Sequence, residues 1–160
     1  MFSIFRKAPR ILVRTLQASD APACAAIHAS CFAHPWPLTE IEAMATSINS
    51  VAHAAVDGRS EDILGFIISR KILDEGEVLT IAVKSDNRRR GVAAALLDAH
   101  LSALPMARVR TLFLEVDEAN GAARALYAKF GFVEKGRREG YYRMTNGSRA
   151  SALIMRKDVI

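Results

Sequence analysis

Apolar positions along this chain switch between two periods in a regular order. Leu112, Leu114 and Val116 alternate with Thr111, Phe113 and Glu115, the two-residue period of a strand. Ala123, Leu126, Tyr127 and Phe130 then recur at i, i+3, i+4 and i+7, one apolar face of a helix. Asn120 can cap that helix, and Gly131 can close it in a left-handed conformation. Upstream, residues 11–16 predict a first strand, and Ser19 or Asp20 caps a helix to about Ala29, with Pro22 tolerated in its first turn. His34-Pro35-Trp36-Pro37 reads as a rigid loop, and Thr39 with Glu42 as the capping box of a second helix. Residues 51–56 and 63–72 read as a hairpin around Asp57-Gly58, and residues 77–83 continue the sheet. A helix over 92–104 stops at Pro105, and strands 110–116, 132–138 and 151–157 with a helix over 120–130 complete the series. This order predicts an α/β fold, a mixed sheet with helices layered on both faces.

The composition fits that picture. A chain of 160 residues can bury a sizeable core, and residues 11–160 read as one domain behind an N-terminal extension of residues 1–10. Hydrophobic residues make up 51% and charged residues 24%, as is ordinary for a globular protein. No apolar run approaches the ~20 residues that span a bilayer. Met1-Phe2-Ser3-Ile4-Phe5 is too short for a signal-peptide core, and Arg6 and Lys7 follow it on the wrong side. The expectation is a cytoplasmic protein without a membrane partner. Cys24 and Cys31 then stay reduced, and neither they nor His28, His34, His53 and His100 show metal-ligand or triad spacing. The net charge of +5 admits two readings, attraction to nucleic acid or ribosomes and a basic setting for a polyanionic ligand. The cations cluster at 88–90 and 135–143, not along one helical face, so no direct nucleic-acid contact is expected.

The ligand is suggested by one junction. Strand residues Ile81-Ala82-Val83 run into the polar loop 84–90, and an Ala/Leu-rich helix leaves it at Gly91. The first turn of a helix carries N–H groups without internal partners, and the helix dipole favours an anion there. Gly91 lets a ligand approach the backbone, and Arg88, Arg89 and Arg90 raise the positive potential. A mononucleotide P-loop needs Lys-Ser/Thr after its last glycine, and a dinucleotide fingerprint needs three spaced glycines; both are missing. Arg88-x-x-Gly91-x-Ala93 remains, and read alone it is equally a solvated basic turn.

That motif resembles the acyl-coenzyme A pyrophosphate loop of the GCN5-related N-acetyltransferase (GNAT) family, Q/R-x-x-G-x-G/A. Asn120, Ala123, Leu126, Tyr127, Gly131 and Phe132 resemble the family's second signature, N-x-x-A-x-x-L-Y-x-x-x-G-F, about thirty residues downstream. The segments Cys31–Trp36, Leu73-Asp74-Glu75, Thr80–Val83, Leu114-Glu115-Val116, Arg137-Arg138 and Tyr141-Tyr142 are similar to the RimI-type branch, which acetylates the N-terminal alanine of a small-subunit ribosomal protein. The likeness covers roughly residues 11–157. Arg88 stands for the more usual Gln, Ala93 for the last Gly and Ser85 for a common Pro; one extra residue precedes the Tyr-Tyr pair, and Arg143 replaces a frequent Pro.

The resemblance implies a GNAT fold, a mixed but mostly antiparallel sheet of about seven strands with helices on both faces. It also implies direct, metal-free transfer of acetyl from acetyl-CoA to a primary amine. The implied acceptor is a protein or peptide N-terminal α-amine, as on a ribosomal protein; a small-molecule amine and a non-catalytic nucleic-acid- or ribosome-binding module are the alternatives. Glu115 would be the general base and Tyr127 the acid toward the leaving thiolate. Backbone groups of Ile81, Ala82 and Val83 would hold the pantetheine arm, with Val83 facing the thioester oxygen if the strand bulges and splays there. Arg88, Arg89, Arg90, Gly91, Val92, Ala93 and Ala94 would hold the pyrophosphate, and Asn120 would touch the pantetheine. Trp36, Glu75, Tyr141 and Tyr142, with Asp74 or Glu77, would line the acceptor site. Each also has a structural reading: Glu115 a salt-bridged strand residue, Tyr127 a half-buried core residue, Asn120 a helix cap, Trp36 a core anchor and the tyrosines edge-strand packing.

Overall fold

The computed structural model describes residues 8–143 and 149–160, without the side chains of 140–143 and 149–150. Residues 1–7 of the expected N-terminal extension lie outside the described residues. Among the described residues, seven strands form one sheet: β1 (Ile11–Thr15), β2 (Ser50–Asp57), β3 (Ile63–Ile72), β4 (Glu75–Val83), β5 (Thr111–Asp117), β6 (Val133–Arg143) and β7 (Arg149–Asp158). Their spatial order is β1-β2-β3-β4-β5-β7-β6, antiparallel throughout except for β4 beside β5. Four α-helices among the described residues cover it: α1 (Ala21–Cys31), α2 (Leu38–Thr46), α3 (Val92–Ala103) and α4 (Gly121–Lys129). None is long and apolar enough to cross a membrane.

Side-chain alternation splits the core between the two faces of the sheet. Ala54, Phe66, Ile68 and Ala82 meet Cys24, Ile27 and Ile41 under α1 and α2. Ile67, Leu112, Leu114, Val116, Leu153 and Met155 meet Leu96, Leu97 and Tyr127 under α3 and α4. Leu96, Leu97 and Leu112 are fully buried, each contributing about 1.5–3 kcal/mol of transfer free energy. Burial also holds the Cys24 thiol protonated, with its pKa raised to about 12. The layered α/β prediction and the strand count agree with this architecture.

Several local expectations fail for identifiable reasons. The second helix starts at Leu38 with Pro37 as its cap, so Thr39 lies inside the first turn and no capping box forms. The Pro37 carbonyl instead accepts from Glu40 and Ile41 N–H at 3.0 and 3.2 Å. At the first helix, Asp20 occupies the cap position but turns its carboxylate backward, accepting from the Gln17 N–H at 2.8 Å and from Arg14 at 2.7 and 2.9 Å. Those bonds hold its pKa below the ordinary range. The edge strand β6 and its neighbour β7 run longer than 132–138 and 151–157 because they pair with each other up to Arg143↔Arg149.

A buried polar chain ties β2, β3 and α3 together. His53 Nδ1 lies 2.9 Å from His100 Nδ1, and Ser69 Oγ lies 2.7 Å from His100 Nε2. His100 is fully buried, and burial followed by the neighbouring His53 lowers its pKa to about 3. An unfolded histidine titrates near 6.5. Between those values the unfolded chain binds a proton that the folded chain refuses, so stability falls as pH drops. From pH 7 to pH 5 this site alone removes about 2 kcal/mol, above the range where carboxylates titrate. Urea denaturation at both pH values tests this. The midpoint falls for the parent chain, and His100→Leu reduces the slope, leaving the part contributed by His28 and His53, whose pKa values burial also lowers. A parent midpoint that does not move means that folded His100 accepts its proton.

Candidate active site

Pairing between β4 and β5 stops early. Glu75, Gly76 and Glu77 face Thr111, Leu112 and Phe113, after which the two strands have no further paired residues. Along its other edge β4 stays paired with β3 to Val83↔Gly65. The Lys84 N–H donates to the Leu64 carbonyl at 2.8 Å. Strand alternation therefore turns Ala82 toward β3 and leaves the backbone groups of Ile81 and Val83 facing the open side. A half-ladder of donors and acceptors lines the gap. The Val83 carbonyl also accepts from Cys31 Sγ at 3.4 Å.

Two expectations are corrected here. The bulge lies at Leu79, because Ile68 pairs with Thr80 and Ser69 with Val78, while Val83 keeps regular pairing. An extra residue there puts Leu79 and Thr80 in succession on one face, rephasing the strand so that Ile81 and Val83 face the gap. Ala82 is 3% exposed, with its backbone toward β3 and its side chain in the core, and has no group to offer a ligand in the gap.

The loop beyond β4 builds an anion cradle. A 3₁₀ turn over Ser85–Asn87 leads to Arg89 at φ 62° and Gly91 at φ 81°, both left-handed. Gly91 caps α3, whose first turn closes with Ala95 N–H on the Gly91 carbonyl at 3.0 Å. The N–H groups of Val92, Ala93 and Ala94 have no partner within the helix. A Cβ on Gly91 would meet no protein atom within 4 Å, so its backbone twist and not crowding demands glycine. Gly65 has the opposite reason: a Cβ there would stand 2.7 Å from the Ala82 carbonyl and 3.2 Å from Val92, which begins α3. Its absence lets the cradle sit against the sheet. Arg88, Arg89 and Arg90 are exposed around it, and Arg88 Nη2 reaches Cys31 Sγ at 3.3 Å.

At the other end of the gap a cleft of about 240 Å³ is lined in part by Ile72, Glu75, Glu77, Glu115 and Arg138. Leu114 and Val116 point into the α3–α4 core, so Glu115 projects from the opposite face. Its carboxylate meets Arg138 Nη1 at 3.3 Å, and Glu77 meets Arg70 Nη2 at 3.0 Å. No local pattern assigns Arg138 a role. Its place follows from register: Arg138 and Asp117 both face Ala152 of β7, two residues along from Glu115 and on its face.

The other predicted residues are dispersed. Tyr127 is 7% exposed, packed edge-on against Phe132 at 5.8 Å, and approaches from the α4 face, opposite to Glu115. Asn120 caps α4, its Oδ1 accepting from the Ala123 N–H at 3.1 Å. Trp36 does not line the cleft; its ring stacks on His28 at 4.7 Å and its backbone N–H donates to His28 Nδ1 at 3.1 Å, so it anchors the α1–α2 connection. Tyr141 and Tyr142 belong to β6, and their side chains lie outside the described residues.

Sequence and fold comparisons converge. The model of the acetyltransferase (GNAT) family matches residues 21–132. The chain is 34% identical over 143 residues to the ribosomal protein bS18-alanine N-acetyltransferase of Escherichia coli K12, covering 89% of this chain and 94% of that protein. It is 38% identical over 96 residues to the Haemophilus influenzae enzyme of the same name, covering 60% of this chain and 65% of that one. The crystal structure of the Escherichia coli ribosomal-protein-S18-alanine N-acetyltransferase superposes with a TM-score of 0.86 at 31% identity, covering 94% of each chain.

Proposed function

This chain belongs to the acetyltransferase (GNAT) family and is an N-acetyltransferase, and from that premise we propose that it moves acetyl from acetyl-CoA to the N-terminal α-amine of a protein, an alanine-type acceptor such as a ribosomal protein. The observation that carries this reading is the split between β4 and β5: an anion cradle stands at one end, and Glu115 enters beside a carboxylate-lined cleft at the other.

The chain's groups divide the work. The α3 amides, Gly91 and the arginines of 88–90 hold the pyrophosphate. Ile81 and Val83 pair with the pantetheine amides, and the Val83 N–H stabilises the oxygen of the thioester as it becomes an oxyanion. Glu75, Glu77 and Glu115 draw in the acceptor ammonium, which displaces Arg138 from Glu115. Glu115 then takes its proton, directly or through water. Near pH 7 that proton costs about 1 kcal/mol from an α-amine and about 4–5 kcal/mol from a lysine, so one carboxylate suffices for an N-terminus. The amine attacks the thioester carbonyl, and Tyr127 gives a proton to the departing thiolate.

Thiol release from acetyl-CoA with peptides differing in their first residue, blocked lysine peptides and small amines tests this. Turnover with free N-terminal Ala or Ser peptides is expected. Turnover confined to small amines removes the protein acceptor. No turnover with any of them, accompanied by salt-sensitive RNA binding, returns the chain to the binding-module reading.

A further inference from the structure

The turn joining β3 to β4 has an unusual residue at its tip. Ile72 pairs with Glu75, leaving Leu73-Asp74 as a two-residue connection. Among the described residues Glu61, Leu73, Arg89 and Arg108 are the non-glycine residues at positive φ, and Leu73, at 56°, is the apolar one. A left-handed backbone costs such a residue about 1–2 kcal/mol, and hairpin turns of this length ordinarily place Gly or Asn there. Leu73 is also 86% exposed, so burial offsets none of that cost. Strain retained without a folding benefit points to a function.

Its neighbours extend the same surface. Ile72, Ile48 and Met106 are 60%, 96% and 92% exposed. Three hydrogen bonds place them at this end of the sheet: Lys71 N–H to the Asn49 carbonyl at 2.7 Å, Lys71 Nζ to the Ala107 carbonyl at 2.6 Å and Arg110 N–H to the Asp74 carbonyl at 2.7 Å. Ile72 also lines the cleft that holds Glu115. Asp74, Glu75 and Glu77 interleave negative charge with these apolar groups.

We propose that this turn is a second contact for the acceptor protein, gripping residues several places beyond the amine that reaches Glu115. It rests on the α-amine reading above and adds the acceptor's chemistry: large apolar side chains for Leu73 and Ile72, and basic ones for Asp74 and Glu75. Register sets the reach. Glu115 is two residues past the Glu77↔Phe113 pair, level with the sixth residue from Leu73 along β4. At roughly 3.3 Å per residue that is about 20 Å, or about six residues of extended acceptor. A tripeptide stops short of the turn, and a decapeptide crosses it.

The test compares Leu73→Gly with the parent chain on two acceptors. One is the amidated tripeptide Ala-Ser-Ala; the other is a decapeptide with that start and Phe and Arg residues at positions five to eight. Glycine suits the left-handed turn, so the variant's Tm stays level or rises. The expected result is a KM for the decapeptide about 5–10-fold higher, with its kcat and the tripeptide's KM within about two-fold of the parent. Equal KM values for parent and variant on the decapeptide, or a parallel rise on both acceptors, overturn the proposal. Sedimentation showing a parent dimer that Leu73→Gly dissociates also overturns it, by assigning the patch to a second copy. If the parent acetylates neither peptide, the α-amine reading fails and takes this inference with it. If the parent acetylates both and the variant matches it, only the inference falls.

Discussion

Glu115→Gln is expected to lower kcat at least about 100-fold while leaving the Kd for acetyl-CoA within about two-fold. Positioned proton transfer contributes on the order of 10²–10⁴-fold, and glutamine keeps the shape of the side chain while losing the ability to take the proton. The cradle and the Ile81–Val83 half-ladder are untouched, so affinity for the acetyl donor survives. The pH profile gives an independent reading. Without a base, turnover depends on the fraction of acceptor already neutral, which climbs through the α-amine pKa of ~7.7–8. The variant's rate therefore rises steeply between pH 7 and pH 9. Parent-like turnover at pH 7 would remove Glu115 from the reaction. Loss of acetyl-CoA affinity alongside activity would mean that the Glu115–Arg138 pair (3.3 Å) holds the gap open structurally.

Gly91→Glu is expected to weaken coenzyme A binding by about 100-fold or more, measured by titration calorimetry. Two effects combine. Any side chain at φ 81° is strained by about 1–2 kcal/mol, and a carboxylate at the start of α3 competes with the pyrophosphate for the same amides. Gly91→Ala separates them, since it carries the strain without the charge and its Cβ meets no protein atom within 4 Å. Alanine is expected to lower Tm modestly and affinity by less than about ten-fold. The glutamate variant folds, because an acidic residue at a helix N-terminus is favourable. Retained affinity in that variant would move the pyrophosphate elsewhere.

Features written within one turn of chain are legible in the sequence alone. The loop-to-helix junction at Gly91, the Asn120 cap and the Gly131 closure each depend on local backbone chemistry, and all three occur where the pattern places them. The bulge at Leu79 gave no warning, since Val78-Leu79-Thr80-Ile81 is uniformly strand-forming and a bulge is a property of the pairing. Likewise, nothing local says that β4 and β5 part after Glu77. The His53–Ser69–His100 chain and the Arg138–Glu115 pair join residues far apart in sequence, so only the register reveals them. Thr39 misled because a capping box needs the cap residue outside the helix, and Pro37, with φ fixed near −65°, had already taken that position.

The three-residue contact between β4 and β5 also makes the sheet mechanically uneven. Strands β1–β4 and β5–β7 are two stiff plates sharing a short seam, with a notch running up from it. On one face the notch is bridged by the core that joins Val92 and Leu96 to Leu114, Val116 and Tyr127, whereas the other face opens into the cleft. Bending that compresses the core is resisted by close packing, and bending toward the cleft meets little opposition. The soft direction of the sheet is thus the cleft side, the side from which the proposed acceptor enters.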